Sequence, residues 1–146
     1  LIDFGKIEKR EMKQDSILKN RNFFGDNAAF DHFGYCVGSI SDFDDELSTT
    51  VDNTQKVKVG FFQMNGVKVE LVEPLSESSP VTKMLEKGQN IYHVCFRVDD
   101  IEDAIALSRK NGFHCIVKPV PAAAFDGRRI AWLFNRVFGL VELLET

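Results

Sequence analysis

The sequence predicts an α+β fold in which two similar halves, each in the order βαβββ, pack as one domain. Three observations carry this expectation. First, the chain makes one statement twice. Phe30–Val37 is followed by a later strand reading Val69-Glu70-Leu71-Val72-Glu73, and Ile91–Val98 by one reading Val141-Glu142-Leu143-Leu144-Glu145. Second, short apolar runs are divided by Gly, Asn and Pro, with few helical stripes between them. Third, 146 residues with 44% hydrophobic side chains suit a single compact core.

Taken in order, residues 1–28 form a charge-rich arm. A thin helical stripe within Asp3–Asn20 (Ile7, Met12, Ile17, Leu18) ends at the Gly25-Asp26-Asn27 break. The domain proper is expected over 29–146, with module one at about 29–76, a linker helix at about 79–88 and module two at about 90–146. Phe30–Val37 reads as a strand, Asp42–Leu47 as a short acidic helix, and Lys56–Met64 as a strand rich in Val and Phe. Asn65-Gly66 is the preferred pair for a tight type I′ hairpin, so Val67–Glu73 is the return strand, stopped by Pro74. Ser79 and Pro80 cap and open a helix that Gly88 ends.

The second half is cleaner. Ile91–Val98 is a strand, and Asp99–Glu102 has capping character. Ile101, Ala104 and Ile105 give a helical stripe that Asn111-Gly112 terminates. Phe113–Lys118 reads as a strand broken by Pro119 and Pro121. Arg129–Asn135 and Gly139–Leu144 supply two more. By comparison, the first half lacks most of its helix and one strand.

Composition excludes several classes. A net charge of −4, with 18 basic and 22 acidic residues, leaves no nucleic-acid footprint. No apolar run approaches the roughly 18 residues of a membrane span. Cys36, Cys95 and Cys115 have no C-x-x-C spacing, so they read as small buried hydrophobes in a reducing, cytoplasmic setting.

The repeat gives each half one histidine in its first strand and one glutamate in its last: His32 and Glu70, His93 and Glu142. Alternation places His32 with Gly34 and Cys36 on one face, and His93 with Cys95 and Arg97 on another. A carboxylate inside an apolar strand is costly to bury unpaired, and a divalent cation removes that cost. Two imidazoles and two carboxylates suit Zn, Co, Ni, Mn or Fe(II) better than Ca. A lone strand histidine is more often a hydrogen-bonded core residue; its recurrence at matching places in both halves favours one shared metal site. Arg97 is a candidate substrate-binding residue on the His93 face. Arg128 and Arg129 read as solvated surface, His114 as structural, and Phe61, Phe62, Phe125 and Trp132 as core or pocket wall.

Several motifs occur in a familiar order: Asp31-His32-Phe33-Gly34, Glu70-Leu71-Val72-Glu73-Pro74-Leu75, Ser78-Ser79-Pro80, Tyr92-His93-Val94, Val98-Asp99-Asp100-Ile101, Gly127-Arg128-Arg129-Ile130-Ala131 and Gly139–Glu142. Together they resemble the vicinal oxygen chelate superfamily, which includes glyoxalase I, bleomycin-resistance proteins, extradiol dioxygenases and methylmalonyl-CoA epimerase. The likeness is greatest to the epimerase-like members and spans about residues 30–145. The resemblance implies paired βαβββ modules forming an open, cupped β-barrel, the glyoxalase-like fold. It also implies one divalent metal ion held by His32, Glu70, His93 and Glu142, and a homodimer. The chemistry implied is proton abstraction next to the carbonyl of a small acyl thioester or thiol adduct, with the metal steadying the enolate-like species.

Three departures qualify the resemblance. The epimerase-like pattern has two successive histidines where this chain has Tyr92-His93, and alternation sends Tyr92 to the opposite face. Val59 stands where some epimerases carry a catalytic glutamate, which leaves Glu142 or Glu70 as the base. The stretch from His32 to Gln55 is short by roughly two helical turns. The function expected is therefore a metal-dependent lyase or isomerase. The alternatives are a non-catalytic antibiotic-binding or resistance protein, whose class usually lacks a full ligand set, and an extradiol-type dioxygenase, which the fourth candidate ligand disfavours.

Overall fold

The computed structural model describes residues 18–146. The helix expected within Asp3–Asn20 falls almost wholly outside the described residues. Eight strands form one mixed, curled sheet: β1 (Ala29–Cys36), β2 (Thr49–Asp52), β3 (Val57–Met64), β4 (Val67–Pro74), β5 (Ile91–Val98), β6 (His114–Pro121), β7 (Arg129–Asn135) and β8 (Gly139–Glu145). Two helices, α1 (Pro80–Glu86) and α2 (Ile101–Arg109), and one 3-10 turn (Ala123–Phe125) complete the described residues. The strand order is β2-β3-β4-β1-β5-β8-β7-β6. Each half thus repeats one plan, with its first strand parallel to its last, and the halves meet where β1 and β5 pair antiparallel.

The repeat holds to the residue. Gly34, two positions after His32, pairs with Glu70, and Cys95, two positions after His93, pairs with Glu142. Across the seam, His32 pairs with Cys95 and Gly34 with His93. A pseudo-twofold axis therefore passes between the two histidines.

Alternation along each strand sorts side chains between two faces. On the convex face of the second half, Val141, Leu143, Ala131 and Leu133 pack against Ile101, Ala104 and Ile105 of α2. Phe24 joins that cluster, its ring 5.1 Å from those of Phe96 and Phe113, so the chain before β1 is part of the core. In the first half, no helix lies between β1 and β2. There Ile40 and Leu47, from the connecting loop, cover Val69 and Leu71.

Local chemistry explains where the elements start and stop. Ser79 caps α1 with its side chain accepting from Val81 N, and Pro80 opens the helix. Asp100 caps α2 by accepting from Asp103 N at 2.8 Å. Asn65 and Gly66 both take positive φ (48° and 84°), as a type I′ turn requires. Three expectations need correction. Asp42–Leu47 is a run of turns rather than a helix: the Asp44 side chain accepts from Glu46 N at 3.0 Å, in competition with a helical ladder. The first half does not lack a strand: β2 is present, short and mostly exposed. β6 continues through Pro119 to Pro121, because as the outermost strand it tolerates missing amide donors.

Candidate metal centre

β1 and β5 supply His32 and His93, and β4 and β8 supply Glu70 and Glu142, all on the concave face. All four residues are buried, none more than 4% exposed. Their donor atoms converge. His32 Nε2 lies 3.2 Å from His93 Nε2 and 3.3 Å from both Glu70 Oε2 and Glu142 Oε2. His93 Nε2 lies 3.1 Å from Glu70 Oε2 and 3.3 Å from Glu142 Oε2. Ligands held about 2.1 Å from a cation lie about 3.0 Å apart at right angles and about 3.4 Å apart in a tetrahedron. The observed spacings fall between those limits, so the donor set fits one metal ion. Nor are these atoms all satisfied within the cluster: the two Nε2 atoms share a hydrogen bond, but among the described residues Glu142 Oε2 has no hydrogen-bond partner.

The electrostatics point the same way. Burial opposes the charged form of His32, but Asp31, Cys95, Glu142 and Glu70 together raise its pKa above the ordinary 6.5. Burial likewise opposes the charged form of His93, and Glu142 and Glu70 raise its pKa. Burial would push Glu142 up, yet the two imidazoles hold it down at about 2. Positive charge on the imidazoles thus favours the Glu142 carboxylate, and a divalent cation bound between them would supply that charge instead.

Asp31 was not among the residues singled out from sequence, although it stands directly before a candidate ligand. Its Oδ2 accepts from His32 Nδ1 at 2.7 Å and from Lys68 Nζ at 3.2 Å, and its Oδ1 lies 3.1 Å from Arg97 Nε. The His32 hydrogen bond is the main reason its carboxyl is held down at about 2. Arg97 lies outside the four-residue cluster; the carboxylate it receives is that of Asp31.

Beside the cluster opens a cleft of about 410 Å3, counting its mouth, lined by Val59, Glu70, Tyr92, His93, Phe125 and Trp132 among others. The expectation that Tyr92 faces away is overturned: its ring lies 5.0 Å from His93 and 5.3 Å from Trp132. Phe61 and Phe125 close one side, their rings 5.6 Å and 5.8 Å from His32. The first half's edge is tied across the cleft, with Asp52 accepting from Ala123 N at 3.1 Å and Gln55 accepting from Trp132 Nε1 at 3.3 Å. Elsewhere, Phe62 packs with Phe43. Arg129 pairs with Glu102 and Glu145, and His114 is exposed. Cys36 and Cys95 are buried, while Cys115 is only partly so. No described helix is long and apolar enough to cross a membrane.

A curled sheet of two pseudo-symmetric halves, with one buried His2Glu2 cluster at its seam, defines a class of paired-module proteins built around a shared site. The chain belongs to the Glyoxalase/Bleomycin resistance protein/Dioxygenase superfamily, whose family model matches residues 26–132. It is 36% identical over 129 residues to the uncharacterized protein YqjC of Bacillus subtilis, covering 79% of this chain and 90% of that one. It is 33% identical over 91 residues to an ethylmalonyl-CoA/methylmalonyl-CoA epimerase of Cereibacter sphaeroides, covering 60% of this chain and 68% of that one. The crystal structure of methylmalonyl-CoA epimerase from Mycobacterium tuberculosis shares the fold, with a TM-score of 0.65 and 23% identity over 80% of this chain and 86% of that one.

Proposed function

We propose that this protein is a metal-dependent isomerase or lyase of the glyoxalase/epimerase type. In this reading it moves a proton next to the carbonyl of a small acyl thioester or thiol adduct. The observation that carries the proposal is the convergence of four buried donor atoms, 3.1–3.3 Å apart where measured, at the wall of a largely apolar cleft. The likeness to an ethylmalonyl-CoA/methylmalonyl-CoA epimerase supports the isomerase side of the proposal.

His32, Glu70, His93 and Glu142 would hold one divalent ion, of Zn, Co, Ni, Mn or Fe(II) type. Bound there, it supplies Lewis-acid stabilisation of the oxyanion that develops when the proton leaves. The chain's own residues account for the rest. Three carboxylates line the cleft: Asp52, Glu70 and Glu142. Asp52 is occupied with the backbone amides of Gln55 and Ala123. Val59 cannot move a proton. Glu70 and Glu142 are therefore the candidate bases, each able to take the proton on a carboxylate oxygen. Phe61, Phe125 and Trp132 exclude water from the reacting end.

Two measurements test this reading. Elemental analysis of the purified protein should find one divalent ion per chain, absent from a His32→Ala, His93→Ala double variant. Metal-loaded protein in deuterium oxide should then exchange the α-hydrogen of methylmalonyl-CoA. A wild type holding no more metal than the double variant, even after reconstitution, would remove the site. Bound metal without exchange would remove that substrate.

A further inference from the structure

The two histidines are not held alike, and two β-bulges explain why. Along the β1–β5 seam, pairing passes from Phe30–Phe96 directly to His32–Cys95, which leaves Asp31 as the extra residue of β1. It also passes from Gly34–His93 to Tyr35–Ile91, which leaves Tyr92 as the extra residue of β5. A bulge re-aims the side chain of its extra residue. Each bulge falls on the residue just before a candidate ligand, so Asp31 and Tyr92 are pseudo-twofold counterparts, both turned towards the site. Their chemistry differs. The Asp31 carboxylate accepts from His32 Nδ1 at 2.7 Å and is itself gripped by Lys68 at 3.2 Å and Arg97 at 3.1 Å. Tyr92 meets His93 only edge-on, and His93 Nδ1 is buried with no hydrogen-bond partner among the described residues. Away from its Nε2, the His93 ring is held by packing, against Trp132 at 4.7 Å and over the bare Cα of Gly34.

From this geometry we infer that Asp31 is a positioning residue: it fixes His32 so that Nε2 faces the other three donor atoms, with Lys68 and Arg97 fixing Asp31 in turn, while His93 has no such partner among the described residues. The inference rests on the metal reading above. Residues that orient a ligand imidazole typically contribute about 10–100-fold to metal affinity.

The test uses the full chain and Co(II) as probe, with competition against a chelator to obtain affinity and the visible spectrum to report ligand geometry. Asp31→Asn, nearly isosteric, and Asp31→Ala should each weaken Co(II) binding about 10–100-fold and alter the spectrum. Tyr92→Phe should bind as wild type does. Melting curves taken with chelator present show whether each variant is folded. Independently of any metal, the proton NMR spectrum of the chelated wild type should show a downfield, slowly exchanging imidazole N–H from His32 that Asp31→Ala abolishes. Wild-type Co(II) affinity in both Asp31 variants would overturn the inference, as would absence of that N–H signal. A wild type that shows the signal but binds no Co(II) would instead sink the metal reading and leave Asp31 holding His32.

Discussion

Gly34 lies opposite His93 across the β1–β5 seam, and the imidazole occupies the space that a Cβ at Gly34 would fill. The absent side chain is thus a condition for the site as much as any ligand. Gly34→Ala should push the ring away from the cluster. We expect Co(II) affinity to fall at least about tenfold and stability to drop by about 1–3 kcal/mol, typical of overpacking. Chelator competition and urea titration measure the two. Unchanged affinity would mean that the ring can sit elsewhere.

A bound ion should tie the two halves together, because each contributes one histidine and one glutamate. Ligand at about 100 times its dissociation constant stabilises a fold by about 2.7 kcal/mol. The wild-type melting temperature should therefore rise with added Co(II) or Zn(II) and fall again with chelator. The His32→Ala, His93→Ala variant should melt at one temperature throughout. Equal shifts in both proteins would place the effect outside this cluster.

Ionisation gives a signed expectation for the metal-free protein. Glu142 is held at about 2 against an ordinary 4.5, so its contribution is present above about pH 4.5 and is lost as pH falls towards 2. Asp31, lowered from 3.8 to about 2, adds to the same acid limb. Urea titrations at pH 5, 3.5 and 2.5 should show stability falling across this window, and Glu142→Gln should flatten the slope.

The imidazoles behave in the opposite sense. Their raised pKa values confer stability that is complete below 6.5 and fades only as pH climbs through the folded-state values. Metal ligation needs neutral imidazoles, so metal uptake at pH 7 should release protons, measurable in weak buffer. Uptake with no proton release would contradict the raised imidazole pKa values.

Phe24 tests where the folded unit begins. It is 8% exposed and packs on Phe96 and Phe113. Phe24→Ala should cost about 3–5 kcal/mol, as large-to-small aromatic changes in a core do. Deleting residues 1–28 should cost at least as much. A truncated protein as stable as the full chain would show that this packing contributes nothing.

The fold and the four-residue cluster were legible because both depend on periodicity, and the repeat supplied an internal check on it. What escaped were the places where a strand rule is broken. β2 reads Thr49-Thr50-Val51-Asp52, too short and polar to register as a strand, and is identified by its pairing with β3. Prolines in β6 suggested an end that an outermost strand does not need. Strict alternation put Tyr92 on the wrong face and hid Asp31, since the two bulges that turn these residues inward lie in the pairing of β1 with β5. Arg97 sits beside Asp31, an acid brought there by the same bulge and so invisible to strand alternation.

The axis between His32 and His93 bears on ancestry. One half holds a single imidazole and a single carboxylate, fewer donors than a transition-metal site ordinarily takes from protein. An ancestral chain of half this length could have built the cluster only from two identical copies. Duplication and fusion would then have freed each copy to change alone, and Asp31 in one half with Tyr92 at the matching place in the other is what such independent drift would leave behind.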